Sequence, residues 1–335
     1  MPSNSRDLMG LNWTALVDET LRRRKKEKLT QKSHAALAGV SIPTMASFER
    51  GETKLTLGKA MDILRVVGLV QEVPPDDAQG LFVQQALRRW NALTAHLPND
   101  APARFPHGYY RIDYYYEGTL NASTPEALLR HLTRTNDQKH SGWPPFRIPA
   151  RDSAKPDIIE NTIECWLGRG KENEESFPFT NDAAHCDYWR ASTDGRMFLI
   201  SGHREDSGET FPAGQIFDSI LSLTRLGEIL LHAARLGRMM SGDDDLKLHF
   251  RAQYTGLRGR QLRSWANPMI TFPEEGTAAR GDEAYSEMVI AISDIENNLE
   301  DVVTTLIAPL YERFNTKVQK IFVAAQLNQL KSVRL

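Results

Sequence analysis

The 335-residue chain has 41% apolar and 25% charged side chains, a globular balance with length for two or three domains and a sizeable core. No apolar run approaches the roughly 20 residues of a membrane span, and the opening MPSNSRDLMG lacks an apolar stretch, so no membrane anchor and no signal peptide are expected. Net charge is −2 but uneven: residues 1–72 hold 12 Lys and Arg against 8 Asp and Glu, the remainder 29 against 35. A basic head on an acidic body suits a phosphate-binding module joined to something that does not bind nucleic acid. Cys165 and Cys186 lack CxxC spacing, which predicts reduced thiols in a cytoplasmic protein.

The first predicted helix runs from Asn12 to Lys28, with Trp13, Leu16, Val17, Thr20 and Leu21 at helical spacing. Arg22, Arg23, Arg24, Lys25 and Lys26 close it. Such a run is either a solvated end favoured by the helix dipole or a set of phosphate contacts. Leu29 to Gly51, LTQKSHAALAGVSIPTMASFERG, then reads as two short helices around a tight turn. Thr30 is placed to cap the first, Gly39 to stop it in a left-handed conformation, and Val40 to plug the corner. Ser41 caps the second, with Pro43 in its first turn. Met45 and Phe48, three apart, face inward, while Ile42, Thr44 and Ser47 fall on the other side and Arg50 lies near the end. That is the layout of a helix-turn-helix. A protein-binding or dimerising helical hairpin is the alternative. Leu57 to Val70 supplies a further amphipathic helix that closes the bundle.

The LTQ, A–LAGVS and FERGE segments together resemble the DNA-binding domain of the Cro/phage-repressor class, the XRE family, over roughly Asn12 to Val70. The resemblance implies that Thr30 and Gln31 touch phosphate, that Pro43, Thr44 and Ser47 face base edges, and that Glu49 and Gly51 are structural. With Ser41, Ile42, Arg50, Arg24 and Lys25, these make up the expected DNA-binding set. The reading face lacks the Arg, Gln or Asn that makes bidentate base contacts. Sequence reading is therefore expected to rest on methyl contacts, phosphate positioning and DNA shape.

Val73-Pro74-Pro75-Asp76-Asp77 predicts a hinge, and Leu81 to Leu97 a helix carrying Trp90 that serves as connector or dimer element. Residues 73–105 thus read as linker. From Tyr109 the text turns strand-like, and Tyr109, Tyr110, Tyr114, Tyr115 and Tyr116 read as strand core rather than base-stacking groups, given Asp113 and Glu117 beside them. Pro125 to Arg134 is a predicted helix. Gly142-Trp143-Pro144-Pro145-Phe146 is an aromatic loop that packs or lines a hollow, and Ile158 to Leu167 is a strand or a short helix. Tyr188-Trp189-Arg190, a Thr193-Asp194-Gly195 turn and Met197 to Ser201 form a hairpin. Arg225 to Met240 is a helix, and Leu246 to Tyr254 a strand running into Gly256-Leu257-Arg258-Gly259-Arg260. Glu283 to Leu310 and Phe314 to Leu330 read as long helices broken near Pro309, whose face of Met288, Ile292, Ile295, Leu299, Val302 and Leu306 is either core or dimer seam.

The GWPPF, DYWR, HRED, R–GE–LLHA and Y–GL–GR–L segments loosely resemble the C-terminal accessory region of bacterial Schlafen AlbA-type proteins, over about Tyr109 to Leu330. This implies an accessory or sensing module. That family's nucleotide-binding part is absent, so no ATPase activity is carried over. His203, Arg204, Glu205 and Asp206 form the densest reactive cluster, with His185 and Cys186 upstream. On a strand they cannot all converge, and they lack metal-ligand spacing. They read as an ion-paired turn, or as the lip of a small-molecule pocket with Arg204 as anion donor. Arg258 and Arg260 around Gly259 are either a solvated turn or a phosphate cradle. There is no nucleophile–base pair, no P-loop and no GxGxxG.

The expected fold class is therefore α + β: an N-terminal all-α helix-turn-helix bundle, residues 1–72, joined through 73–105 to a larger α+β domain, 106–335, ending in long helices. The expected protein is a cytoplasmic, homodimeric repressor of the helix-turn-helix kind that binds a palindromic double-stranded operator and senses a small-molecule or protein effector. It is expected to be no enzyme and to need no cofactor and no metal. The alternatives are an enzyme processing a nucleotide or small molecule behind a DNA-binding head, and a protein-interaction adaptor recruited to DNA.

Overall fold

The computed structural model describes residues 13–69, 77–121, 124–137, 143–169, 180, 182–243, 246–269, 272 and 275–332. Two compact units divide between Asp77 and Ala78. Of the expected hinge, all but Asp77 lies outside the described residues.

The first unit holds α1 (Trp13–Lys26), α2 (Gln31–Leu37), α3 (Ile42–Glu49) and α4 (Leu57–Val66). Its local signals act as expected. The Thr30 hydroxyl accepts the Ser33 N–H at 3.0 Å and the Ser41 hydroxyl accepts the Thr44 N–H at 3.3 Å, each satisfying a backbone donor that the helix start leaves orphaned. Gly39, at φ 62°, makes the left-handed turn between the two helices. Val17, Ala35, Ala38, Met45, Phe48, Ile63 and Leu64 form the core, with Val40 and Trp13 packed against it. Trp13 meets Phe48 edge-on at 5.4 Å and donates its indole N–H to the Gly51 carbonyl, tying α1 to the end of α3.

The second unit is built on a seven-stranded antiparallel sheet. Its strands are β1 (Tyr109–Glu117), β2 (Asp157–Ile159), β3 (Thr162–Trp166), β4 (Tyr188–Ser192), β5 (Met197–Gly202), β7 (Lys247–Tyr254) and β9 (Ala284–Ala291), in the order β2-β3-β4-β5-β1-β7-β9. A short parallel pair, β6 (Ile216–Asp218) and β8 (Gln261–Arg263), stands apart. The helices are α5 (Ala78–Thr94), α6 (Pro125–Asn136), α7 (Leu221–Ser241), α8 (Ile292–Asn297), α9 (Leu299–Glu312) and α10 (Lys320–Ser332). Strand alternation sorts the core into two layers. Ile112, Tyr114, Tyr116, Trp189 and Leu199 join the helical layer around α7. Tyr188, Phe198 and Ile200 turn the other way, onto Phe82, Val83, Ala86 and Trp90 of α5. The thiols divide likewise: Cys165 lies in the first layer and Cys186 in the second. Burial pushes Cys165 up to about 12 and Cys186 well above the ordinary thiol value.

Several expectations change. The helix read as a connector is α5, and it belongs to the second unit, which begins at Ala78 rather than 106. Its apolar positions cover one face of the sheet, and Arg89 ion-pairs with buried Glu164 at 2.6 Å while Gln79 donates to buried Asp113. Ile158 to Leu167, whose sequence suits either a strand or a short helix, falls in the β2–β3 hairpin. The clearest correction is Glu283 to Leu310, where Ala284–Ala291 is β9 and pairs with β7 along its whole length. The three- and four-residue spacing from Met288 to Ile295 spans a strand–helix junction, and the β-branched Val289 and Ile290 pack well on a pleated surface. Pro309 lies inside α9 rather than breaking it. α10 begins at Lys320, not at Phe314. Ile292, Ile295, Leu299, Val302 and Leu306 are all buried within the unit, so this face is core and not a dimer seam. Among the described residues no helix is long and apolar enough to cross a membrane.

Candidate nucleic-acid interface

α3 presents its first turn outward. Ser41, Ile42 and Pro43 are exposed, Ile42 to 49%, while Thr44 and Ser47 are half-buried and Met45 and Phe48 wholly enclosed. The Ser41 and Thr44 hydroxyls share a hydrogen bond at 2.8 Å, and Ser47 accepts from Arg50 Nη2 at 3.1 Å. Arg50 also pairs with Glu52, holding that carboxyl below its ordinary value. The outward face is therefore hydroxyl, methyl and a tethered guanidinium, as the residue types suggested.

Two expected phosphate contacts are instead engaged inside the unit. Arg24 ion-pairs with Glu49 at 3.1 Å, and Gln31 Nε2 donates to the other Glu49 oxygen at 2.9 Å. Glu49 thus clasps α1 and α2 to the end of α3. Of the basic run, Arg22 and Arg23 bond Glu19 and hold its carboxyl down to about 2, and Arg23 also donates to the Gly68 carbonyl. Lys25 and Lys26 stay exposed, so the two readings of this run divide it.

Residues 21–71 match the Helix-turn-helix family model. The match runs from the second half of α1 through α4, and so covers the whole capped pair α2–α3. No curated protein and no solved structure matches the chain. The likeness of the second unit to the Schlafen accessory region finds no support there.

Behind this helix-turn-helix in sequence, the second unit encloses a hollow of about 290 Å³. Ile112, Phe217, Leu226, Ile229 and Tyr254 line it on the apolar side. Trp143, at the rim, is met edge-on by His185 at 4.4 Å and covered by the Arg147 guanidinium at 3.9 Å. The aromatic loop thus lines a hollow through Trp143, while Phe146 is buried in the core and Gly142 lies outside the described residues. Arg225 is the central cation. Its guanidinium donates to the Tyr110 hydroxyl at 3.0 Å, the Trp143 carbonyl at 2.6 Å and Glu228 at 3.2 Å, and lies 3.7 Å from Asp187. Burial opposes its charge, but Tyr110, Glu228 and Asp187 outweigh burial and raise its pKa.

The HRED cluster is a 3₁₀ turn over Arg204–Ser207, not a strand, and this brings His203, Arg204 and Glu205 to one wall of the hollow. Glu205 accepts the Asp218 N–H at 2.9 Å, yet burial pushes its carboxyl up to about 7. His203 faces the Thr255 carbonyl through Nε2 at 2.9 Å, and burial lowers it to about 4.

Asp206 turns away, to Arg260, and here the expected ligand role is overturned. Arg260 is fully buried and spends all five N–H donors inside the unit. Two go to Asp206 at 2.7 Å each, and the others to the Gly256, Ile216 and His107 carbonyls. His107 and Gly256 meet so closely that a Cβ on Gly256 would lie 2.1 Å from the His107 carbonyl oxygen, and Gly256 sits at φ 68°. Arg258 remains exposed, with its backbone N–H on Asp282 at 3.4 Å. Arg204 therefore lines the hollow as expected of a pocket lip, while Arg258 and Arg260 do not form a phosphate cradle. The residues the sequence reading missed are Tyr110, Ser222, Arg225 and Glu228. One signal marks two of them: opposite charges three apart, Arg225 and Glu228, beside the apolar run of α7.

Proposed function

We propose that the chain is a sequence-specific DNA-binding transcriptional regulator of the XRE kind. The observation that carries this reading is α3 itself, a capped helix anchored by Met45 and Phe48 that exposes Ser41, Ile42 and Pro43 ahead of Thr44 and Ser47. The exposed Ile42 suits contact with thymine methyls, and the hydroxyls suit adaptable polar contacts in the major groove. Lys25, Lys26 and Arg50 would supply phosphate contacts. Two copies, with recognition helices about 34–36 Å apart, would read a palindromic operator and repress by occluding a promoter. The second unit would contribute dimerisation and effector sensing, with binding rather than catalysis as its role in a cytoplasmic regulator. The hollow beside Arg225 also supports a reading in which a small-molecule effector enzyme carries a DNA-binding head, separated from the first by turnover of whatever binds there.

The test is binding of wild type and of a Thr44→Ala/Ser47→Ala variant to a promoter-region DNA library at two salt concentrations. Both changed side chains lie on the outer face and alanine favours the helix, so α3 is retained. The expected result is salt-sensitive, sequence-selective binding weakened about tenfold or more in the variant. Binding indifferent to sequence, or unchanged in the variant, would overturn the assignment of α3 as reader.

A further inference from the structure

The hollow in the second unit has the size and lining of a ligand site. At about 290 Å³ it sits at the lower edge of small-molecule sites, which span about 300–1,000 Å³, so it suits a compact metabolite rather than a peptide. Its floor is apolar and partly aromatic: Phe217 meets the Tyr254 ring edge-on at 6.5 Å, and Tyr254 lies 6.4 Å from Tyr110. The rim mixes hydrogen-bonding senses. Glu205 and Glu228 offer acceptor oxygens, while the Ser222 hydroxyl, buried with no partner among the described residues, and the Arg225 guanidinium offer donors. Acceptors and donors beside an apolar, aromatic lining suit a ring whose edge carries both N–H groups and lone pairs.

Charge narrows the class. Arg225 already faces Glu228 and Asp187. The start of α7 is also spent, because Asp218 Oδ1 accepts the Ile220 and Leu221 N–H groups at 2.7 and 2.8 Å. Of the lining charges, Arg204 and Arg225 stand against Glu205 and Glu228, and Asp187 behind the lining lies 3.7 Å from Arg225, so a phosphate would meet no net positive charge. We infer that this hollow binds a small uncharged nitrogen heterocycle of the nucleobase type, held through its N–H groups by Glu205 and Glu228 and through a ring acceptor by Ser222. This inference stands without the DNA-binding reading, since every residue in it belongs to the second unit.

The experiment is calorimetric titration of the full chain, without DNA, with adenine, hypoxanthine, cytosine and uracil, alongside adenosine 5′-monophosphate and cytidine 5′-monophosphate. At least one base is expected to bind with Kd below about 1 mM, and its monophosphate about tenfold or more weaker. Glu205→Gln keeps an acceptor for the Asp218 N–H but turns an amide donor toward the ligand, and is expected to weaken binding about tenfold or more. Ser222→Trp fills the hollow and is expected to abolish binding. Absence of binding by every base, equal binding of the monophosphates, or binding unchanged in either variant would overturn the inference. Because no DNA is present, these outcomes are independent of whether α3 reads an operator.

Discussion

Replacing Arg260 by lysine tests how the second unit is held around its buried guanidinium. Lysine carries three N–H donors in place of five, so at least two of the five acceptor oxygens on Asp206, Gly256, Ile216 and His107 lose their partner. Hydrogen bonds to charged groups contribute about 1.5–3 kcal/mol each, and removing one partner of a buried pair costs about 3–5 kcal/mol. Arg260→Lys should therefore destabilise the unit by about 3–5 kcal/mol. At about 2–4 °C per kcal/mol for a unit of this size, that is a fall in Tm of about 6–20 °C. Asp206→Asn should cost a similar amount, because it removes the charge that Arg260 was buried against. The two losses should be strongly non-additive in a double-mutant cycle, since both report one contact. The assay is chemical denaturation of the four proteins at fixed pH. A cost for Arg260→Lys below about 1 kcal/mol, or losses that simply add, would refute the reasoning and return Arg260 to the candidates for ligand binding.

Glu205 and His203 should make stability depend on pH in opposite senses over the same window. The Glu205 carboxyl, raised to about 7, binds its proton more tightly folded than unfolded, so its contribution is present at low pH and lost as pH rises toward 7; His203, lowered to about 4, must charge on unfolding, so its contribution is lost as pH falls from about 6.5 toward 4. Glu205→Gln should thus raise stability at pH 8 by about 1–3 kcal/mol, and leave a steeper loss toward pH 5 that denaturation at the two pH values would show. Glu49→Ala should destabilise the first unit by about 1–2 kcal/mol, by releasing Arg24 and Gln31 together, and hydrogen exchange of the α2 and α3 amides would detect it. Phe48→Ala should cost about 3–5 kcal/mol in a core of seven buried residues, read as lost helical signal and lost DNA binding, with Phe48→Leu much milder.

The helix-turn-helix was legible because its determinants are local. Thr30, Gly39 and Ser41 act within four residues of themselves, so residue type and spacing suffice to place them. The hairpin at Thr193–Gly195 was legible for the same reason. β9 was not, because what makes Ala284–Ala291 a strand is its pairing with β7, thirty or more residues away. Arg24 and Gln31 carried the right chemistry for phosphate, but only the fold brings Glu49 to them. Arg260 shows the limit most plainly. An arginine just after a glycine turn looks exposed in sequence, and its burial depends on His107 and Ile216, which come from distant parts of the chain.

The two thiols, one in each core layer, amount to an internal clock for opening of the second unit. The chain has no other cysteine, so an alkylating reagent is blind to the helix-turn-helix and reads only the body. Cys186 reacts when the layer under α5 parts, and Cys165 when the layer under α7 does. Tandem mass spectrometry of partly labelled protein would time the two events separately. A ligand that settles beside α7 would slow the Cys165 reaction more than the Cys186 reaction, and so betray its own location without any engineered probe.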